Sequence, residues 1–276
     1  MSRALILILV CSLIIGCSSF SSFAEVLNGG YEYDSLEEAI ERIEEVEKDN
    51  VVTTSERKEF IKEISPEAMD ELVEEAYDEA AEKASELQAT FRVPLEGDFE
   101  PMVEEAKYNL EVGGSVEVKI IVEPTPEPKH NTSNIMSKVR SLFIQPVYAS
   151  NFGYGSLTYT TSYTFVHWAV PDSLLVLKTN YRVGDYGLIC ISTNSVGTHG
   201  TLFVAISPET WVEDDIAPVV GHDINGRGDY KMTLGPIPKL GLGLTLVTKH
   251  IRSYVKLNYI NKTKKYVDLT FAREVW

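Results

Sequence analysis

From Glu123 to Asn134 the chain reads Glu-Pro-Thr-Pro-Glu-Pro-Lys-His-Asn-Thr-Ser-Asn. Proline fixes φ and has no N–H to donate, so three alternating prolines exclude both a helix and a central strand. The expected structure is an extended, solvated spacer. It divides two differently charged halves. Glu25–Pro128 holds 31 acidic and 9 basic residues, a balance of −22, whereas Lys129–Trp276 holds 10 and 15, a balance of +5. With Arg3 this gives the net charge of −16. Such a split favours an intramolecular contact between the acidic half and the second half. It disfavours nucleic acid as a partner, and the basic excess of the second half is too scattered for a phosphate-binding patch.

The leader explains the compartment. Arg3 is followed by a nearly unbroken apolar run from Ala4 to Ile15, which has the length of an export signal and is too short to span a bilayer. Two cleavage sites compete. Ile14-Ile15-Gly16-Cys17 resembles a bacterial lipobox, which would leave a lipidated Cys17 as a membrane anchor. Ser22-Phe23-Ala24 would instead release a soluble chain starting at Glu25. Beyond the leader only Cys190 remains, which excludes an intramolecular disulfide and a cysteine-based metal cluster.

Residues 25–122 read as an acidic α+β domain, with helices followed by a small antiparallel sheet. Ser35-Leu36-Glu37-Glu38 and Thr53-Thr54-Ser55-Glu56 are capping boxes, and Ser65-Pro66 is an N-cap with proline at the first helical position. The helix after Ser65 carries Met69, Leu72, Ala76, Ala80 and Ala84 on one stripe, and its dense carboxylates read as a solvated face. Alternation over Phe91–Leu95, Tyr108–Val112 and Val116–Val122 predicts strands, the last two joined at Gly113-Gly114 as a hairpin. The pattern leaves open whether the hairpin 108–122 stays in this domain or adds to the next.

Residues 123–150 form the linker, which ends in the small-residue sequence Val147-Tyr148-Ala149, a candidate processing point. Residues 151–276 read as an all-β antiparallel sandwich or barrel. Leu157, Tyr159, Tyr163 and Phe165 alternate with Thr and Ser, and further short strands, among them Leu242–Thr248 and Ser253–Ile260, are separated by turn signals such as Gly221–Gly228. Trp276 follows an alternating strand, as in outer-membrane barrels, but Glu274 stands where such a barrel needs an apolar residue.

No Gly-x-Ser-x-Gly, His-Glu-x-x-His or phosphate-loop motif occurs. Cys190 sits in the apolar run Leu188–Ile191, the setting of a buried small hydrophobe. Asp223–Asp229 has the oxygen spacing of a calcium loop, but Arg227 and Leu234 stand at two ligand places and exclude it. The same stretch spells Arg227-Gly228-Asp229, a tripeptide too short to carry an argument for cell adhesion. The expectation is an exported envelope or extracellular binding protein without a cofactor, not an enzyme, whose loops meet a protein or cell-surface ligand. Its candidate contact residues are Phe152, Tyr154, His199, His222, Asp223, Arg227, Asp229 and Tyr230. Membrane association is expected only through Cys17. One alternative is a secreted toxin or bacteriocin-like effector with residues 1–150 as an acidic pro-region. Another is a hydrolase using His222 and Asp223.

Overall fold

The computed structural model describes residues 31–47, 60–96, 99–125, 155–167, 172–184, 187–200, 204–234 and 245–276. The leader with Cys17, the second capping box, most of the linker, Phe152 and Tyr154 lie outside this set. Two whole helices, a further helical segment at 60–63 and twelve strands are described. Helix α1 (Leu36–Glu47) starts as its capping box predicts, with the Glu38 N–H donating to Ser35 Oγ and the Asp34 N–H to the Glu38 carboxylate. Helix α2 (Pro66–Glu86) is capped by Ser65, whose Oγ accepts from the Ala68 N–H at 3.2 Å. Ala39 and Ile43 of α1 join the buried stripe of α2, where small alanines permit close approach.

All paired strands are antiparallel and fall into two sheets. One runs β1 (Ala89–Pro94), β12 (Tyr266–Val275), β11 (Thr245–Asn261), β10 (Asp223–Leu234) and β8 (Val204–Asp214). The other runs β2 (Met102–Asn109), β3 (Ser115–Pro124), β4 (Ser156–Val166), β5 (Ser173–Val183), β6 (Leu188–Asn194) and β9 (Ile216–Ala217), with β7 (His199–Gly200) beside β5. The inner faces of the two sheets pack on each other in a sandwich-like arrangement, so Tyr159 of β4 meets Phe271 of β12 with ring centres 5.1 Å apart.

The three strands of the acidic half do not make a small sheet of their own. β1 pairs with β12, and the β2–β3 hairpin adds to β4 through a register from Ser115↔Val166 to Pro124↔Leu157. The reason lies in their side chains. Val116, Val118, Ile120 and Val122 of β3 are fully buried on one face, and a lone two-stranded hairpin has nothing to bury them against. The hairpin itself forms as its glycines predict. Gly113 and Gly114 both take positive φ, although the turn spans Leu110–Gly114 and tucks Leu110 and Val112 into the core. The spacer therefore leaves and re-enters at neighbouring points: the Thr125 N–H donates to the Ser156 carbonyl at 2.9 Å.

Two further expectations are corrected. Asp223–Asp229 is not a loop but the first half of β10. Its glycines mark close approach of the opposite sheet: a Cβ on Gly226 would strike Thr193 Oγ1 and lie 2.6 Å from Thr179 Oγ1, and one on Gly228 would lie 2.9 Å from Leu177 Cδ1. From Thr245 on, the separate strands expected over 242–248 and 253–260 are one strand, β11; residues 242–244 lie outside the described set. The basic residues Lys249 to Arg252 that seemed to interrupt it alternate inward and outward like the rest.

The interior holds two apolar clusters. One, around Leu72, Val118, Tyr163, Leu177 and Ile251, is closed by the helices. The other, around Val93, Tyr159, Tyr181, Leu257 and Phe271, lies toward the spacer. A polar seam runs through the interior as well: Thr179 Oγ1 and Ser253 Oγ are 2.7 Å apart, Ser253 donates to the Gly226 carbonyl, and buried Arg273 donates to Thr161. Arg273 also donates to the Ala84 carbonyl in the last turn of α2, where the helix dipole offsets its charge, and the Val275 N–H donates to Ser85 Oγ. These bonds tie α2 to β12. Nearby, Lys249 is buried with its Nζ 4.2 Å from the centre of the Tyr77 ring, and burial lowers its pKa to about 8 against the opposing pull of Asp78. Among the described residues no helix is long and apolar enough to cross a membrane.

Candidate functional site

In β11 the side chains of Ile251, Ser253 and Val255 point inward and are fully buried, so His250, Arg252 and Tyr254 project from the outer face. By the same alternation Arg227 and Asp229 of β10 and Glu274 of β12 stand on that face. Cross-strand pairing aligns them in one row, with Arg227 opposite Trp211 of β8 and also opposite Arg252, and Arg252 opposite Glu274. Trp276 pairs with His250 through two backbone hydrogen bonds and stacks on its ring at 5.3 Å.

The result is a ladder of alternating aromatic rings and guanidinium groups. The Arg227 guanidinium carbon lies 5.1 Å from the centre of Trp211 and 4.8 Å from that of Trp276. That of Arg252 lies 5.2 Å from Trp276 and 6.0 Å from Tyr254. Cation–π contacts of this kind are worth about 0.5–1 kcal/mol each at exposed sites. Carboxylates balance the charge. Arg252 binds Glu213 with two nitrogens and reaches Glu274 at 3.1 Å, while Tyr254 donates to Glu274 at 2.7 Å. Arg227 meets Asp229 at 3.2 Å and Glu213 at 3.7 Å, and His250 Nδ1 lies 2.7 Å from Asp229. The hydrogen bond to Glu213, then that to Tyr254, hold Arg252 still more firmly protonated than an ordinary arginine. Two rings remain substantially open, with Trp211 36% and Trp276 39% exposed.

A second aromatic group lies on the same outer face, toward the β11–β12 turn. Arg92 of β1 sits 4.2 Å from the centre of Tyr266 and forms a two-bond ion pair with Asp268, and Tyr259 is 47% exposed beside Tyr266.

The residues expected to make contacts are scattered. Arg227 and Asp229 do belong to the ladder, in a strand rather than a loop. Tyr230 is not a contact residue: it is fully buried and donates to the Val176 carbonyl at 2.8 Å, because it points inward between its outward neighbours Asp229 and Lys231. His222 is exposed in the turn before β10, Asp223 begins that strand, and no hydrogen bond joins their side chains. The backbone of His199 pairs with Leu174; its side chain, like Phe152 and Tyr154, lies outside the described residues. Cys190 is buried, and desolvation pushes its thiol up to about 11, away from nucleophilic use. Among the described residues no three His, Cys, Asp or Glu side chains gather as metal ligands.

Of Trp211, Glu213, His250, Arg252, Tyr254 and Trp276, sequence singled out only Trp276, and that as a barrel signal rather than a contact residue. A signal for half of them exists: His250, Arg252 and Tyr254 follow at intervals of two within β11, but only a reading of 245–261 as one strand reveals it. Comparison with protein-family models, with curated proteins and with solved structures finds no match.

Proposed function

We propose that this is an exported, non-enzymatic binding protein of the cell envelope or extracellular space. Its body is a β-sandwich, and it meets its ligand with the outer face of the five-stranded sheet rather than with loops. The observation that carries the reading is the ladder Trp211–Arg227–Trp276–Arg252–Tyr254, which holds two partly open indole rings in fixed positions on a sheet face. Rigid, amphipathic aromatics at low entropy cost are what binding surfaces favour. Export rests on the leader, with Cys17 as lipid anchor or Glu25 as the first residue of a soluble chain. Palmitate labelling of the wild type and Cys17→Ala separates these two: incorporation lost in the variant establishes the anchor, and its absence from both removes it.

The pro-region reading draws less support. β1 and β3, from the acidic half, are built into both sheets, so that half behaves as part of the body. The hydrolase reading draws none from His222 and Asp223, which share no contact with a third group.

The test is cosedimentation of purified residues 25–276 with isolated envelope fractions. The proposal expects the wild type to sediment, and the Trp211→Ala, Trp276→Ala double variant to remain in solution at least tenfold more. Equal sedimentation of both, or of neither, refutes it.

A further inference from the structure

The chemistry of this face narrows what it can bind, given that it is the binding surface proposed above. Among the described side chains at the outward positions of β10, β11 and β12 there is no valine, leucine, isoleucine or methionine; the side chain of Leu246 lies outside them. The core of a protein-binding patch is depleted of Asp, Glu and Lys, which here stand between the rings, and a lipid-facing surface would require aliphatic side chains. Here the apolar area is aromatic, and the spaces between rings are filled with hydrogen-bonding groups. Between the two aromatic groups lie Thr90, Thr270 and Asn258, linked by bonds of 2.8 and 2.7 Å.

The charge pattern narrows it again. Each arginine of the face is matched: Arg227 with Glu213 and Asp229, Arg252 with Glu213 and Glu274, Arg92 with Asp268. Exposed Lys231 and Lys256 also stand on the face, but so do Asp223, directly across from Lys256, and exposed Glu209, so the face carries no net excess of cations to attract a polyanion. Complementarity therefore favours an uncharged ligand rich in hydroxyl groups with flat C–H faces.

We infer that the outer face of the five-stranded sheet binds an uncharged polysaccharide chain. Sugar rings stack on Trp211 and Trp276 at one end and on Tyr259 and Tyr266 at the other. The fixed arginine–carboxylate pairs give and accept hydrogen bonds to hydroxyls without changing charge. Tyr254 and Tyr259 are five residues apart in β11, so the groups are separated by roughly 16 Å along the strand at about 3.3 Å per residue. The face thus suits a chain of several sugars, not a single one.

Insoluble cellulose, chitin and mannan, with soluble oligosaccharides cut from each, serve as probes for residues 25–276. The wild type is expected to be retained on at least one, and the matching oligosaccharide to change tryptophan fluorescence, with longer oligomers binding tighter. Trp211→Ala lies on the edge strand β8, so its fold is checked by circular dichroism; it should weaken binding at least tenfold. Tyr259→Ala supplies an independent variant at the distant end and should weaken long oligomers more than short ones. Retention on none of the probes, or retention that survives both substitutions, overturns the inference. So does tryptophan-dependent sedimentation with envelopes that glycosidase digestion leaves intact and protease digestion abolishes. That last result would leave the binding face standing and remove only the polysaccharide.

Discussion

If residues 155–276 are produced without the acidic half, they should fail to fold. β1 and β3 bring seven buried apolar side chains against the second half: Ala89, Val93, Leu95, Val116, Val118, Ile120 and Val122. Six of these are Val, Leu or Ile, each worth at least about 1.5 kcal/mol on burial, or roughly 9 kcal/mol together. Halving that for a compact unfolded state still leaves about 4–5 kcal/mol, most of a typical domain's whole stability. The backbone adds to the loss, because β4 would expose the edge that pairs with Ser115–Pro124 and β12 the edge that pairs with Ala89–Pro94. The fragment should show poor amide dispersion, no cooperative urea transition and a tendency to aggregate. By contrast, the whole chain cut at a protease site engineered into 126–154 should elute as one particle containing both pieces. A monomeric 155–276 fragment that unfolds cooperatively within about 2 kcal/mol of the intact chain would refute the reasoning and restore a separable pro-region.

Gly226→Ala should lower stability by about 1–3 kcal/mol in urea unfolding, since its Cβ must displace Thr179 and Thr193 from the polar seam; an unchanged midpoint would mean that the sheets separate freely there. Lys249 gives a pH signature. Its pKa falls from 10.5 to about 8 on folding, so between these values the unfolded chain holds the extra proton and stability rises with pH. Relative to Lys249→Met, the wild type should gain about 2 kcal/mol from pH 8 to 10; parallel curves would contradict the burial of the amine. Cys190, with its thiol pushed up to about 11, should react with a disulfide reagent orders of magnitude faster in urea than in the folded protein, and equal rates would place it at the surface.

Local signals were legible in the sequence where they act within a few residues. Ser35, Ser65 and the Gly113-Gly114 turn declared the helix starts and the hairpin because capping and positive φ are short-range properties. The inward alternation of β4 was equally plain. What period-two patterns do not encode is which edge a strand joins, so a small sheet was expected in the acidic half while the destination of the hairpin 108–122 stayed open. Glycines misled for a related reason. At Gly226 and Gly228 the residue is chosen for the nearness of Thr179 and Leu177 across the interior, whereas sequence alone suggests a turn. The ladder needed four strands, β8, β10, β11 and β12, to be placed side by side, so its members were visible singly and not as a group.

The pairing of β1 with β12 also governs how the protein comes to be folded. Ala89 faces Phe271 across a sequence separation of 182 residues (271 − 89). Contacts of such separation belong to slow-folding topologies, because loop entropy is lost long before the ladder repays it. At a synthesis rate of about 5–20 residues per second, the strand beginning at Ala89 waits roughly 10–40 seconds for its partner. During that interval the other sheet, whose last strand ends at Ala217, can pair, but the five-stranded sheet cannot be completed. Under the export proposed above, the delay would favour crossing a membrane unfolded, since the event that locks the body comes only when β12 has followed all the other strands through.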